Sequence, residues 1–150
     1  MITGYGRFMT IELNARLRDA GLRVTGQRLA ALRALDEHPH SDTDEVHRRV
    51  REEFPGFSLQ ATYAVLNALT DAGILRRIEP AGSPARYERR TGDNHHHVVC
   101  TRCGAVADVD CVHGEAPCLA PSSTGGFEIS TAEVTFWGLC PECQTARSSA

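Results

Sequence analysis

The sequence predicts an α+β protein in two parts, a helical N-terminal domain over residues 1–90 and a strand-rich α/β domain over residues 91–150. Three observations carry that expectation. Apolar residues recur at helical spacing up to about Gly73, after which the pattern turns to short alternating runs. All six cysteines lie at or after Cys100. The charge balance also changes sign: residues 1–90 hold 14 arginines against 12 acids, and residues 91–150 hold 2 against 7.

A chain of 150 residues, 41% of them hydrophobic, can bury a core without disulfide staples. No apolar stretch reaches the length of a membrane span, and "MITGYGRFMTIELNARL" lacks the apolar middle of a signal peptide. The expected location is therefore the cytoplasm, with no membrane partner, where paired CxxC motifs more often hold metal than form disulfides.

The first helix is expected over residues 10–20, with Leu13, Leu17 and Ala20 on one face and Gly21 as its C-terminal cap. Thr25 can cap a second helix carrying Leu29, Leu32 and Leu35, which ends at "EHPH" because Pro39 has no amide proton to continue it. "SDTDEV" offers capping oxygens for a third helix running to about Glu53, stopped by "FPGFS". Ser58 opens a fourth. Its Leu59, Thr62, Leu66 and Leu69 make a buried stripe, and Gln60, Tyr63, Ala64 and Asn67 make an uncharged polar one. "ILRRIEPAGSPARYERR" then reads as a β-hairpin closed by a Gly/Pro/Ser turn. Such a pattern fits a winged helix, whose last helix enters the DNA major groove, and equally a helical bundle with an ordinary hairpin. Beyond Asp93, strands are expected at "HHVVC", "AVADVD", "GFEIS" and "AEVTFWGLC", around a loop "CVHGEAPCLAPSSTGG".

Cys100, Cys103, Cys140 and Cys143 form two CxxC pairs, and each such turn lets both sulfurs face one ion at about 2.3 Å. Four thiolates leave no open coordination position, so the motif points to structural zinc rather than catalysis; two redox dithiols or free buried cysteines are the alternatives. On a strand, His95 and His97 point to one face and His96 to the other, which is good ligand geometry, although neighbouring histidines can also be merely solvated. Further candidate ligands are His38, His40, His47, Glu88, Asp108 and Glu115. Cys111 and Cys118, six residues apart, are either a redox pair or small buried residues, and His113 lies between them.

"RVTGQR", a helix ending in "HPH", "SLQATYAVLNAL", "ARYE", "HHHVVCTRCG" and "WGLCPEC" together resemble the ferric uptake regulator (Fur) superfamily of metal-dependent winged-helix repressors. The resemblance runs from about residue 12 to residue 144. "GDNHHHVVC", "VDCVHGEAPCL" and "WGLCPEC" are most similar to its actinobacterial FurA/CatR type, which behaves like the peroxide-sensing (PerR-like) branch. The resemblance implies a winged-helix DNA-binding domain over 1–90 and a metal-binding dimerisation domain over 91–150. It also implies a homodimer, double-stranded operator DNA as partner, no small-molecule substrate, and Zn2+ held by the four CxxC cysteines. A regulatory Fe2+ or Mn2+, with Zn2+ or Ni2+ as other occupants, would be held by His40, Glu88, His95, His97 and Asp108. Three imidazoles and two carboxylates suit such metals on chemical grounds too.

Aspartate at position 108, where iron-responsive relatives usually carry glutamate, resembles the peroxide sensors, in which the residues matching His40 and His95 are oxidised. The target genes implied are of the catalase-peroxidase type, together with the regulator's own gene. An iron-, zinc- or nickel-responsive uptake regulator is the alternative. For DNA contact, Arg23 is the expected minor-groove or phosphate residue and Gln60 the base-edge reader, with Tyr63 in its family position. "TGQR" stands where relatives have "TPQR", a small change at a helix start, and Ala61 and Ala64 replace polar residues of the reading helix. A metalloenzyme is disfavoured because no nucleophile or base motif stands beside the histidines. A zinc-held interaction module without DNA is the third class.

Overall fold

Three helices of the N-terminal half begin where a side-chain oxygen caps them. The computed structural model describes residues 4–111, 120–130 and 132–148, the side chains of residues 4–9 excepted. His113, Glu115 and Cys118 lie outside the described residues. By its internal contacts the chain divides into two units, Met1–Thr91 and Gly92–Ala150.

The first unit holds α1 (Gly4–Asp19), α2 (Gly26–Glu37), β1 (Ser41–Asp42), α3 (Thr43–Glu53), α4 (Leu59–Asp71), β2 (Arg76–Ile78) and β3 (Arg86–Glu88). Thr25 accepts from the Arg28 amide at 3.3 Å, Asp42 from Glu45 at 2.9 Å and Ser58 from Ala61 at 3.1 Å, each satisfying an amide that the first helical turn leaves free. At the other end, Gly73 takes φ 70, its amide reaching the Thr70 carbonyl at 2.9 Å while the Ile74 amide reaches Leu69 at 3.0 Å. This paired bonding ends α4 and turns Ile74 back onto the core. Leu13, Leu17, Leu32, Leu35, Val46, Val50, Leu66 and Leu69 are all buried in one cluster with Tyr87 of β3.

Several elements depart from the sequence reading. Helix α1 starts at Gly4 rather than near residue 10, since adding a turn to a formed helix costs far less than nucleating one. Leu59 is 39% exposed instead of buried, because it occupies the first helical position, before α4 enters the core. The Phe54 ring lies over the start of α2, so close that a Cβ on Gly26 would meet it at 2.6 Å. The glycine of "TGQR" therefore makes room for a packed ring and is more than a small change. The hairpin of β2 and β3 gains a third strand in β1, giving the order β1-β3-β2 with Ser41 opposite Tyr87 and Arg76 opposite Glu88.

The second unit is a three-stranded sheet, β4 (His95–Cys100), β5 (Val106–Asp110) and β6 (Thr135–Gly138), followed by α5 (Pro141–Ser148). β4 is central, antiparallel to β5 and parallel to β6. "GFEIS" joins neither sheet: its alternation assigns faces but supplies no ladder partner, and both edges of β4 are taken. Helix α5 has no counterpart in the strand reading, because eight residues give too little periodicity to register. Among the described residues no helix is long and apolar enough to cross a membrane.

Candidate metal centres

The four CxxC cysteines come from two different turns of the second unit. Cys100 ends β4, and the chain reverses at once: the Gly104 amide bonds the Cys100 carbonyl at 2.9 Å, and the Cys100 amide bonds Ala105 at 2.8 Å. Gly104 has φ 75, which a side chain would strain, so the glycine keeps this knuckle tight around Cys103. Cys140 precedes α5 and Cys143 sits in its first turn, where the free amides of a helix start favour negative charge. Sulfur atoms from all four residues lie within 4.8 Å of one another, with Cys103 and Cys140 at 3.7 Å. A tetrahedral ion with metal–sulfur bonds of 2.3 Å needs sulfurs about 3.8 Å apart, so the cluster fits such an ion.

Crowding four thiols divides their acidities. Cys100 is lowered to about 6, chiefly by the Cys140 backbone amide and then by those of Cys103 and Arg102. Cys143 is pushed up to about 12, first by hydrogen bonding with the Cys140 thiol, then by burial and by the Cys103 and Cys100 thiols. At Cys103 the Ala105 amide favours the thiolate, but the Cys100 and Cys140 thiols and burial outweigh it, and its acidity falls. The set holds its protons unevenly, as expected of groups that would share one positive charge.

A second group of ligand-type side chains occurs in each unit. In the first, His40 follows α2 and its Nε2 lies 2.9 Å from Glu88 Oε2, both residues being buried. His40 has φ 63, a left-handed backbone that is costly for a residue with a Cβ. Its amide donates to the Tyr87 carbonyl at 3.0 Å, and its own carbonyl accepts from Arg86 Nη1 at 3.3 Å. Strand β3 thus holds His40 by the backbone on both sides while presenting Glu88 to its ring. Arg76, opposite Glu88 on β2, approaches Oε1 at 3.9 Å.

In the second unit, His95 and His97 share one face of β4, their rings edge to face at 4.9 Å between centroids. Asp108 stands opposite His97 on β5, and its Oδ1 lies 3.8 Å from His95 Nε2 and 3.6 Å from His97 Nε2. Ligand atoms about 2.1 Å from a shared ion lie about 3 to 4 Å apart, so Asp108 stands at such a distance from each of the two histidines. His96 turns to the other face, where its ring lies edge to face with Phe136 at 6.5 Å.

The other candidates fall elsewhere. His38 is exposed at the end of α2, and His47 Nδ1 is engaged with Thr62 Oγ1 at 2.9 Å between α3 and α4. Cys111 is half-buried, while Cys118 lies outside the described residues. Sequence reasoning missed Asp93, whose Oδ1 lies 2.8 Å from His95 Nδ1, and Arg76 beside Glu88. An acid two residues before a ligand-type histidine on an extended chain was the available signal for Asp93.

Gln60, Tyr63, Ala64 and Asn67 are exposed along one face of α4, as is Arg23 before α2. Tyr63 and Asn67 share a concavity of about 400 Å³ with Arg77 of β2 and Asp44 of α3, so the outer face of α4 and the hairpin open onto one surface.

A four-thiol cluster in one unit, and His/carboxylate sets in both, define a metal-binding protein that also exposes an uncharged polar helix face beside a hairpin. The family is specific: residues 19–137 match the ferric uptake regulator family, and the chain belongs to it. It is accordingly a transcriptional regulator rather than an enzyme. It is 55% identical over 134 residues to the transcriptional regulator FurA of Mycobacterium bovis, covering 89% of this chain and 91% of that one. It is 34% identical to the peroxide-responsive repressor PerR of Staphylococcus aureus, over 89% and 90% of the two chains. Among solved structures, the ferric uptake regulator of Vibrio cholerae superposes with a TM-score of 0.64 at 27% identity, covering 85% of this chain and 98% of that one.

Proposed function

We propose that this protein is a homodimeric, metal-dependent repressor that releases operator DNA when peroxide oxidises its regulatory metal site. The observation that carries the reading is the His95/His97/Asp108 face, an oxygen- and nitrogen-rich ligand set in the same unit as a sulfur-only cluster. Thiolates select zinc, which here has a structural role at Cys100, Cys103, Cys140 and Cys143; imidazole with carboxylate suits Fe(II) or Mn(II). His40 and Glu88, as the family resemblance implies, would complete the regulatory set. Bound Fe(II) supplies the one-electron chemistry with hydrogen peroxide. The chain's part would be to hold the ion on exchangeable ligands and to take one oxygen atom of the peroxide into an imidazole C–H bond of His40 or His95, the other oxygen leaving as water, after which the set would no longer bind metal.

In this reading the first unit is a winged helix. Its α4 enters the major groove with Gln60 and Tyr63 towards base edges, Arg23 contacts the backbone, and β2 and β3 form the wing. The shared surface of Tyr63 and Arg77 supports that arrangement. The second unit dimerises, and the exposure of Phe127 (77%), Phe136 (48%) and Trp137 (47%) supports a partner surface there. Catalase-peroxidase type genes and the regulator's own gene are the proposed targets.

The test is operator binding by anaerobically purified protein with Mn(II) or Fe(II), before and after hydrogen peroxide, with peptide masses read in parallel. The Fe(II) protein should lose DNA and gain 16 mass units on a His40 or His95 peptide, whereas the Mn(II) protein should keep its DNA and show no mass gain. Retention of DNA without the mass gain would refute peroxide sensing and leave the metal-responsive uptake regulator as the reading.

A further inference from the structure

We propose that Asp93 is a positioning residue: it fixes the proton of His95 on Nδ1, so that Nε2 is the nitrogen offered to the regulatory metal. The inference deepens the function proposed above and rests on His95 being a ligand there. A neutral imidazole carries one N–H and one lone pair, and only the lone pair can bind metal. Asp93 Oδ1 lies 2.8 Å from His95 Nδ1. An ionised carboxylate can only accept, so that contact requires the proton on Nδ1 and leaves the lone pair on Nε2.

The opposite nitrogen, Nε2, is the one that faces Asp108 at 3.8 Å, on the side where His97 Nε2 also lies. The free lone pair is therefore left on the nitrogen that approaches Asp108. The His95 side chain is fully buried, whereas Asp93 keeps 44% of its side-chain surface. A buried ring cannot choose its tautomer by exchanging hydrogen bonds with bulk water, and the carboxylate that chooses for it sits on the segment leading into β4. Carboxylates bonded to ligating imidazoles orient the ring and raise its basicity, and losing one typically weakens metal binding about 10- to 100-fold.

The test uses the full-length protein with metal on the four cysteines and none elsewhere, labelled with 15N and studied at pH 8, above the ordinary imidazole range. Long-range 1H–15N correlation, with His95 assigned by its loss in His95→Gln, reads which ring nitrogen carries the proton. Wild type should carry it on Nδ1, Asp93→Ala should move it to Nε2 or mix the two forms, and Asp93→Asn, whose amide oxygen still accepts, should keep Nδ1–H. Mn(II) affinity by electron paramagnetic resonance should fall about 10- to 100-fold in Asp93→Ala and only a few-fold in Asp93→Asn.

An unchanged tautomer in Asp93→Ala overturns the proposal, as does a shifted tautomer with unchanged Mn(II) affinity. Equal Mn(II) losses in the Ala and Asn variants would make Asp93 itself a ligand and also overturn it. If instead His95→Gln leaves Mn(II) affinity intact while the tautomer follows Asp93, the regulatory-site reading fails, and with it the metal half of the proposal. Unchanged metal content at the cysteines and an unchanged thermal midpoint establish that each variant is folded.

Discussion

Cys100 at about 6 and Cys143 at about 12 straddle the ordinary thiol value of 9.0, and that separation has consequences with definite signs. In the metal-free protein, the raised group Cys143 contributes stability that is present below 9.0 and is lost as pH rises through about 12. The lowered group Cys100 contributes stability that is present above 9.0 and is lost as pH falls through about 6. Metal must displace the protons that Cys103 and Cys143 still carry at neutral pH, so binding at the cluster releases protons and its apparent affinity rises with pH between 7 and 9. Calorimetry of Zn2+ binding in two buffers of different ionisation enthalpy measures the release directly; an affinity that is flat across that range would contradict the assignment. Cys143→Ser should flatten the slope because it removes a raised thiol. The cysteines themselves were plain from CxxC spacing alone. Their unequal acidities were not, because those depend on which backbone amide faces which sulfur.

Helix α4 rests on three local devices, and each can be removed separately. Ser58 caps its start, Gly73 at φ 70 closes its end, and Leu66, fully buried, anchors its middle. Ser58→Ala should cost about 1 kcal/mol and Gly73→Ala a similar amount, the first by leaving amides unpaired and the second by forcing a Cβ into a left-handed backbone. Leu66→Ala should cost about 2 to 5 kcal/mol, because it opens a cavity between α4 and its neighbours. Urea unfolding followed by circular dichroism ranks the three; Ser58→Ala costing as much as Leu66→Ala would mean that the cap, not the core, carries this helix. These helices were legible because Thr25, Ser58 and Gly73 signal locally what the backbone does locally. Strand β1 was not, since two residues carry no period and Ser41 is a strand only through its pairing with Tyr87, 46 positions away. "GFEIS" failed in the opposite sense: Phe127 and Ile129 alternate well, but a strand also needs a neighbour. Of the metal sets, the His95/His97 pair followed from strand geometry, while His40 depended on family resemblance, because its left-handed backbone leaves no mark in "HPH".

At the scale of the molecule, the two units differ in what holds them together. The first has a buried aliphatic cluster, and the second a small sheet with four sulfurs at one end. Stripping metal from the cysteines with a strong chelator should therefore unfold the second unit while the helices of the first persist. Trp137, the single tryptophan, lies on β6 and reports the loss by fluorescence while circular dichroism retains most helical signal. A fully helical loss in step with the tryptophan signal would mean that the units fold as one. The regulatory function proposed here makes a further demand, which follows from thermodynamics whatever the structural route. If Mn(II) raises operator affinity by some factor, operator DNA must raise Mn(II) affinity by the same factor. A coupling of about 10- to 100-fold corresponds to about 1.4 to 2.8 kcal/mol, within the ordinary range for allosteric proteins. Titrating Mn(II) with and without operator, and operator with and without Mn(II), should give equal factors in wild type. His97→Ala should bring both factors towards one while leaving metal-independent DNA binding and metal on the cysteines unchanged. Factors that agree in wild type and survive in His97→Ala would place the coupling metal away from the His95/His97/Asp108 face.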